Sequence, residues 1–504
     1  MGLIKNKQKE TNKEISLVCV LDIGTSSIRA SGFDLSGELL AELFVQMHYQ
    51  MEVSLDGKVE IELEELFTKV VDCLDKFLAK ILTKNYLIIG VGISTIWHSL
   101  VAIDAQGFGL TPLISWNDTR SSPFAKKLKE TNSEIEIHQI TGCRFHASYW
   151  PAKISWLINT HQLLAQKVKY WLSFGDYLFF RLFGKIATSI SLASGTGLFN
   201  RSINDWDEQF AKNLSIEINQ LPKIVESPFY SLKKEFATRW PKLNNIPWYL
   251  PIGDGACNNI GSACFDSSSF ALMIGTSGAM RAISNQTNIV LPPGLWSYKI
   301  DRNRNIIGGA MSNAGNLFAW LKTLLNLPVE TLDQTLEEEI RQVKPDSHGL
   351  TILPFLSGER SLGWHDEAKG AIIGLQLSSK PIEILRAALE AIAYQFLLIY
   401  QEMVKTLGTP KKVIATGAGL YNSQIWGEII ADVLGKELYV SQYSEASSRG
   451  IALLVLEKLN ILELTPQNNF EKVYLPNPEN QITYQKAFKR YQLCYEKLIA
   501  SDIG

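Results

Sequence analysis

The sequence predicts an α/β protein of two lobes built on one duplicated plan, with a cleft between them. Three observations carry that expectation. The stretch Ile-Gly-Thr-Ser occurs twice, at residues 23–26 and 274–277, and each copy has Arg-Ala close behind it (Arg29-Ala30 and Arg281-Ala282). The copies stand about half the chain apart and share a local grammar of apolar run, small polar turn and second apolar run. Finally, 504 residues exceed what one hydrophobic core organises, so two or three domains are expected.

Taken in order, residues 1–16 are polar and basic with no apolar core, and read as a flexible start rather than a signal peptide. Residues 17–22, "LVCVLD", read as a buried strand ending at a carboxylate. Gly24 to Ser27 is a tight turn, and residues 28–34 return as a strand, so the lobe opens on a hairpin with a polar tip. Residues 62–82 are helical, because Leu63, Leu66, Val70, Leu74, Phe77 and Ile81 recur every three or four positions. "YLIIGVGIS", residues 86–94, is a further buried strand. The second half repeats the pattern: strand 270–274, turn 275–278, strand 279–284. A long helix starts at Pro381, carries the stripe Leu385, Leu389, Ile392, Phe396, Ile399 and Met403, and stops at Gly408. Residues 412–422, "KVIATGAGLYN", run from strand through a Gly-rich turn into a helix. The lobe boundary falls near Pro251, giving lobes of 17–250 and 251–504; with no low-complexity linker there, the lobes are expected to touch.

Composition excludes several classes. With 49 Lys and Arg against 51 Asp and Glu, the formal net charge of −2 makes no electrostatic case for nucleic acid. No apolar run is long enough to span a bilayer. The six cysteines form no CxxC pair, which argues against a zinc site or disulfide framework and fits a cytoplasmic protein. The oligomeric state stays open, a homodimer included.

Four groups of residues carry chemistry. Asp22 precedes Gly24-Thr25-Ser26, where small residues let backbone amides crowd toward an anion and hydroxyls add donors. A carboxylate beside such a cradle is where a hydrated Mg²⁺ would be held; an ordinary hairpin turn is the plain alternative. The second copy, Gly275-Thr276-Ser277, has Met273 in place of Asp22, as expected if it cradles phosphate without the metal. "PIGDG" sets Asp254 on a turn ahead of that second hairpin, where it could take a proton from an attacking hydroxyl. In "GAGLYN", Gly417 and Gly419 allow close approach of a nucleotide. His98, Trp116, Asn117, Asp118 and Arg120 supply polyol-binding side chains with an aromatic wall, although Asp118 and Arg120 could also simply pair.

Together these blocks resemble the actin-like (ribonuclease H-like) ATPase fold as used by the FGGY carbohydrate kinases. Residues 370–395, "GAIIGLQLSSKPIEILRAALEAIAYQ", are similar to that family's C-terminal signature, and the resemblance runs from about Val18 to Leu459. Within the family, "IWHSLVAID", "ISWNDTRS", "SLASGTGLFN", "IGTSGAMRAI" and "PFLSGERSLGWHDEAKGA" look most like the bacterial gluconate kinases. The resemblance implies ATP as phosphoryl donor and Mg²⁺ as cofactor, with Asp254 as general base and Asp22 toward the metal. It also implies phosphate contacts from Gly24, Thr25, Ser26, Gly275, Thr276 and Ser277, and adenosine contacts near Gly417, Gly419 and Asn422. His98, Trp116, Asp118, Arg120 and Asp254 then face a sugar or sugar acid, with D-gluconate, converted to 6-phosphogluconate, the leading substrate. A carboxylate substrate calls for a cation; Arg120 is the first candidate and Lys153 the second. Glu359 and Arg360 in "LSGERS" read as structural or hinge-related. The alternatives are a xylulose, ribulose or other polyol kinase, an inactive sugar-binding regulator, or an actin-like filament or chaperone ATPase.

Overall fold

The computed structural model describes residues 14–82, 85–287, 289–327, 334–465 and 470–500. The duplication read from the turns is present in the sheets. In the first, the strands Leu39–His48, Ser27–Phe33, Ile15–Ile23, Tyr86–Thr95 and Ile252–Gly253 lie side by side in that order. The first two junctions are antiparallel and the last two parallel. In the second, Asn305–Met311, Gly278–Ser284, Ser269–Ile274, Lys412–Thr416 and Leu438–Ser441 repeat the same order and directions. Strands Trp296–Lys299 and Phe470–Tyr474 extend this second sheet at its two edges. The first strand begins at Ile15, so Ile15 and Ser16 leave the segment expected to be frayed; residues 1–13 lie outside the described residues.

The helices form where the apolar period demanded them. Leu63–Ile81 buries its whole expected stripe against the first hairpin. Pro381–Leu407 buries Leu385, Leu389, Ile392, Phe396, Ile399 and Met403, and ends at Gly408, whose φ is 86°. On that helix Glu390 accepts from Arg386 at 2.9 Å and from the Tyr484 hydroxyl at 3.1 Å, which makes this part of the signature an internal strut. Among the described residues no helix is long and apolar enough to cross a membrane.

Between the two sheets lie the helices Asp254–Gly261 and Ala446–Lys458, packed on each other. Their backbones meet so closely that a Cβ on Gly450 would stand 1.8 Å from the Cys257 carbonyl oxygen. Ala446–Lys458 also lies against Ile15–Ile23 and Tyr86–Thr95, so a helix from the second half covers the first sheet. The lobes therefore share an apolar seam, including Val20, Ile260, Ala279, Ile451 and Val455. That seam fixes the hairpin tips and Asp254 relative to one another.

Candidate active site

Asp22 and Arg29 stand directly opposite in the first hairpin, so their side chains share a face. Arg29 donates to Asp22 Oδ2 at 3.3 Å, and its Nε pairs with Glu445 Oε2 at 3.1 Å. Ser448 adds a 3.4 Å bond to the same Asp22 oxygen, while Asp22 Oδ1 is buried with no partner. Burial raises the Asp22 pKa against the pull of Arg29. The tip is held by the Gly24 amide on the Ser27 carbonyl at 3.0 Å and by the Tyr49 hydroxyl on the Gly24 carbonyl; Thr25 and Ser26 stand exposed on it.

The second tip is braced differently. Amides of Gly315 and Asn316, opening the helix Gly315–Leu324, donate to the Gly275 and Thr276 carbonyls at 3.0 and 3.1 Å. Met273 occupies the place of Asp22 and lines the same cavity.

Asp254 opens the helix Asp254–Gly261 and is partly buried, with Oδ1 on the Gly255 amide at 2.8 Å. Burial pushes its pKa up to about 6, the Arg281 guanidinium opposes this, and Asp22 adds to the rise. Arg281 is itself buried and falls to about 10 for that reason. Asp22, Arg29, Asp254, Arg281, Thr416 and Gly417 surround one cavity of about 210 Å³. The "PIGDG" turn has Gly253 because Trp97 lies across it: a Cβ there would stand 2.0 Å from the indole.

Gly417 borders the cavity, and the fold itself also requires that it carry no side chain. At φ 97°, its Cβ would meet the Ile274 carbonyl oxygen at 2.2 Å, and one on Gly419 would meet the Ile274 side chain at 2.5 Å. Both glycines seat this loop on the second hairpin. Asn422 is exposed at the end of the short helix Ala418–Tyr421.

A larger cleft, about 770 Å³, joins the first lobe's polar block to the second tip; Trp116, Asp118, Ser148, Thr276 and Ser277 line it. His98 is buried at φ 63°, a strained conformation of the kind that concentrates at functional sites. Its Nδ1 lies 2.5 Å from the Gly195 carbonyl oxygen, which fixes the proton there, and burial holds its pKa well below the usual histidine range. The neutral ring thus leaves Nε2 as an acceptor, and the ring centroid lies 5.1 and 5.2 Å from those of Tyr149 and Tyr298. Asp118 accepts the Val59 amide at 2.9 Å and pairs with Arg120 at 2.7 Å. Arg120 also pairs with Glu60 at 2.6 Å and stacks on Trp156, so its charge is already compensated. Lys153 is fully buried, with Nζ on the carbonyls of His98 and Ser115 at 2.9 and 2.7 Å. Burial brings it down to about 7. It ties two loops together and has little left for a ligand.

Sequence reasoning missed Arg281, Tyr149, Tyr298, Glu445 and Arg360. Only the arginine behind the second hairpin had left a visible signal, as the repeated Arg-Ala. Glu359 is structural as expected, its carboxyl bonded to the Tyr495 hydroxyl at 2.7 Å and the Gly363 amide at 3.2 Å. Arg360 stacks over Trp116, which lines the cleft, and itself lines a small neighbouring pocket with Glu359 and Gln395.

Comparison with known proteins bears on this arrangement. Residues 17–261 match the N-terminal domain, and residues 270–456 the C-terminal domain, of the FGGY family of carbohydrate kinases. The gluconokinase of Bacillus subtilis (strain 168) is 28% identical over 447 residues, 86% of each chain. The xylulose kinase of Staphylococcus xylosus is 26% identical over 492 residues, 96% of this chain and 100% of that one. The crystal structure of gluconate kinase from Lactobacillus acidophilus superposes with a TM-score of 0.89 at 26% identity, covering 97% of this chain and 99% of the other.

Proposed function

The chain belongs to the FGGY family of carbohydrate kinases, and from that premise we propose that it transfers the terminal phosphoryl group of ATP to a terminal hydroxyl of a sugar acid, D-gluconate giving 6-phosphogluconate. The observation that carries this reading is Asp254. It is a partly buried carboxylate, pushed up to a pKa of about 6, that lines a cavity with two further carboxylates, Asp22 and Glu445, and two arginines. Such a group is ionised at neutral pH yet basic enough to accept a hydroxyl proton. The choice of gluconate rests on the gluconokinase relatives and on the segments that resemble them.

In the reaction so assigned, the sugar hydroxyl attacks the γ-phosphorus, its proton passes to Asp254, and ADP departs with the electrons of the broken O–P bond. Arg281 orients and tempers Asp254. Amides and hydroxyls of Gly24, Thr25, Ser26, Gly275, Thr276 and Ser277 receive phosphate oxygens, and Gly417, Gly419 and Asn422 border the nucleoside. His98 Nε2, Trp116 and Asp118 face the sugar hydroxyls, with Arg120 holding Asp118 in place. Mg²⁺ fits beside Asp22, whose Oδ1 is buried without a partner, and when bound it supplies charge neutralisation on the phosphates. Five of the six free cysteines are buried, which suits the reducing cytoplasm.

The test is ADP release with gluconate, xylulose, ribulose, glycerol and erythritol. The highest kcat/KM should belong to gluconate. A preference for xylulose or ribulose would overturn the gluconate assignment, binding without turnover would favour a sensor, and sugar-independent turnover would favour a filament-like ATPase.

A further inference from the structure

The buried and half-buried cations around the cavity and the cleft differ in what balances them. Arg29 has Asp22 and Glu445, Arg120 has Asp118 and Glu60, Arg281 lies in the field of Asp254 without an ion pair among the described residues, and Lys153 is spent on two backbone carbonyls. Arg360, like Arg281, has no paired carboxylate among the described residues, and unlike Arg281 it stands away from the reacting end of the site, outside the cavity that Asp254 lines. It is 8% exposed, and its Nε is buried without a hydrogen-bond partner. An uncompensated guanidinium so deeply placed is costly unless a ligand brings the missing negative charge.

Its position suits that purpose. The guanidinium carbon lies 5.3 Å from the Trp116 ring centroid and 6.0 Å from that of Trp364, a stack that orients it without neutralising it. Backbone bonds on either side pin the segment: Ser361 N to the Ala310 carbonyl at 2.9 Å, and Trp364 N to the Arg360 carbonyl at 2.8 Å. Its charge reaches His98, Tyr149, Tyr298 and Arg281. A continuous path runs from Asp254 across Gly253 to Trp97, on to His98 at 6.1 Å, through the two tyrosines, and ends at Arg360. A hydroxylated carbon chain lying along it would have its reacting hydroxyl at Asp254 and its far end at the unpaired cation.

We propose that Arg360 is the specificity residue that receives the carboxylate of a sugar-acid substrate, the role for which Arg120 and Lys153 are already occupied. This rests on the sugar-acid kinase reading above. Arg360 presents a planar fork of donors that matches a carboxylate, while Trp116 and Trp364 keep water from competing.

The experiment compares gluconate with sorbitol, which carries a hydroxymethyl group where gluconate has its carboxylate. Calorimetry gives Kd for both ligands, and ADP release gives kcat/KM, in the wild type, Arg360→Met and Arg360→Gln. Arg360→Met keeps much of the stacked stem, and Arg360→Gln keeps donors without charge, so one stands in if the other fails to fold. Gluconate binding should weaken about 10–100-fold, as loss of a charge-assisted bond implies, and sorbitol binding by a much smaller factor. Equal weakening of both ligands would make Arg360 part of the wall and overturn the proposal. A gluconate preference that survives both substitutions would overturn it too, leaving the functional reading in place. A wild type that binds sorbitol as tightly as gluconate would refute the sugar-acid reading and this assignment together.

Discussion

Replacing Arg281 with methionine should move the acid limb of the pH–rate profile upward. Burial lifts Asp254 to a pKa of about 6, and Arg281 is the largest influence pulling it back down. Removing a nearby opposite charge raises a carboxylate, by roughly 1–3 pKa units for a partner within about 4–6 Å, and a rise of about one unit puts Asp254 near 7. The base must be ionised to take a proton, so kcat/KM is lost as pH falls through this pKa. With a pKa near 6, about 90% of the protein has an ionised Asp254 at pH 7, and with a pKa near 7 about half does. At pH 6 the ionised share drops from about half to about a tenth. Ionisation alone therefore costs Arg281→Met about twofold at pH 7 and about fivefold at pH 6, with recovery in mild alkali. The assay is coupled ADP release under saturating ATP across the pH range, with each profile normalised to its own plateau to remove any pH-independent loss. An acid limb that stays near pH 6, or moves lower, would refute the coupling of Arg281 to Asp254.

Gly253→Ala would drive a methyl group to about 2.0 Å from the Trp97 indole, so it should cost roughly 1–3 kcal/mol in chemical denaturation and depress turnover; an unchanged midpoint would mean Trp97 has room to move. Lys153→Met leaves the buried carbonyls of His98 and Ser115 without their donor, which should destabilise the protein by about 1–3 kcal/mol and raise KM for the sugar. A KM equal to wild type would show that the two loops hold their places without the clamp. Asp22→Ala should raise the Mg²⁺ concentration needed for half-maximal rate while the fold stays cooperative, checked by a Mg²⁺ titration of turnover; loss of folding with an unaltered Mg²⁺ requirement would assign Asp22 a structural role.

The parts of this molecule legible in the sequence are those set by local pattern. The repeated turn marked a true repeat of sheet topology, and the helix stripes of Leu63–Ile81 and Pro381–Leu407 are buried where the period put them. Asp22 and Asp254 could be singled out because each stands beside a glycine turn, and they line one cavity. What stayed hidden depends on register and on contacts far apart in the chain. The second tip is one residue shorter and its arginine stands one position further from the glycine, so Arg29 stands opposite Asp22 whereas Arg281 stands opposite Ala271. No local feature says that the second arginine then meets Asp254 instead of a partner in its own hairpin. Glu445 reaches Arg29 only because Ala446–Lys458 crosses onto the first sheet. Gly417 and Gly419 were visible as glycines, but the neighbour that requires them, Ile274, is supplied by strand pairing. A pairing of Arg120 with Asp118 could be read locally, but Glu60, which completes the compensation of its charge, closes on it only in the folded lobe.

The claim on which the rest depends is that Asp254 takes the proton from the attacking hydroxyl. It is tested most directly by measuring kcat and sugar affinity together in Asp254→Asn, which preserves size and the bond to the Gly255 amide. The account predicts that kcat with gluconate falls by about 10²–10⁴ while calorimetry finds gluconate bound nearly as well as in the wild type. Turnover close to wild type would remove Asp254 from the chemistry and contradict the account.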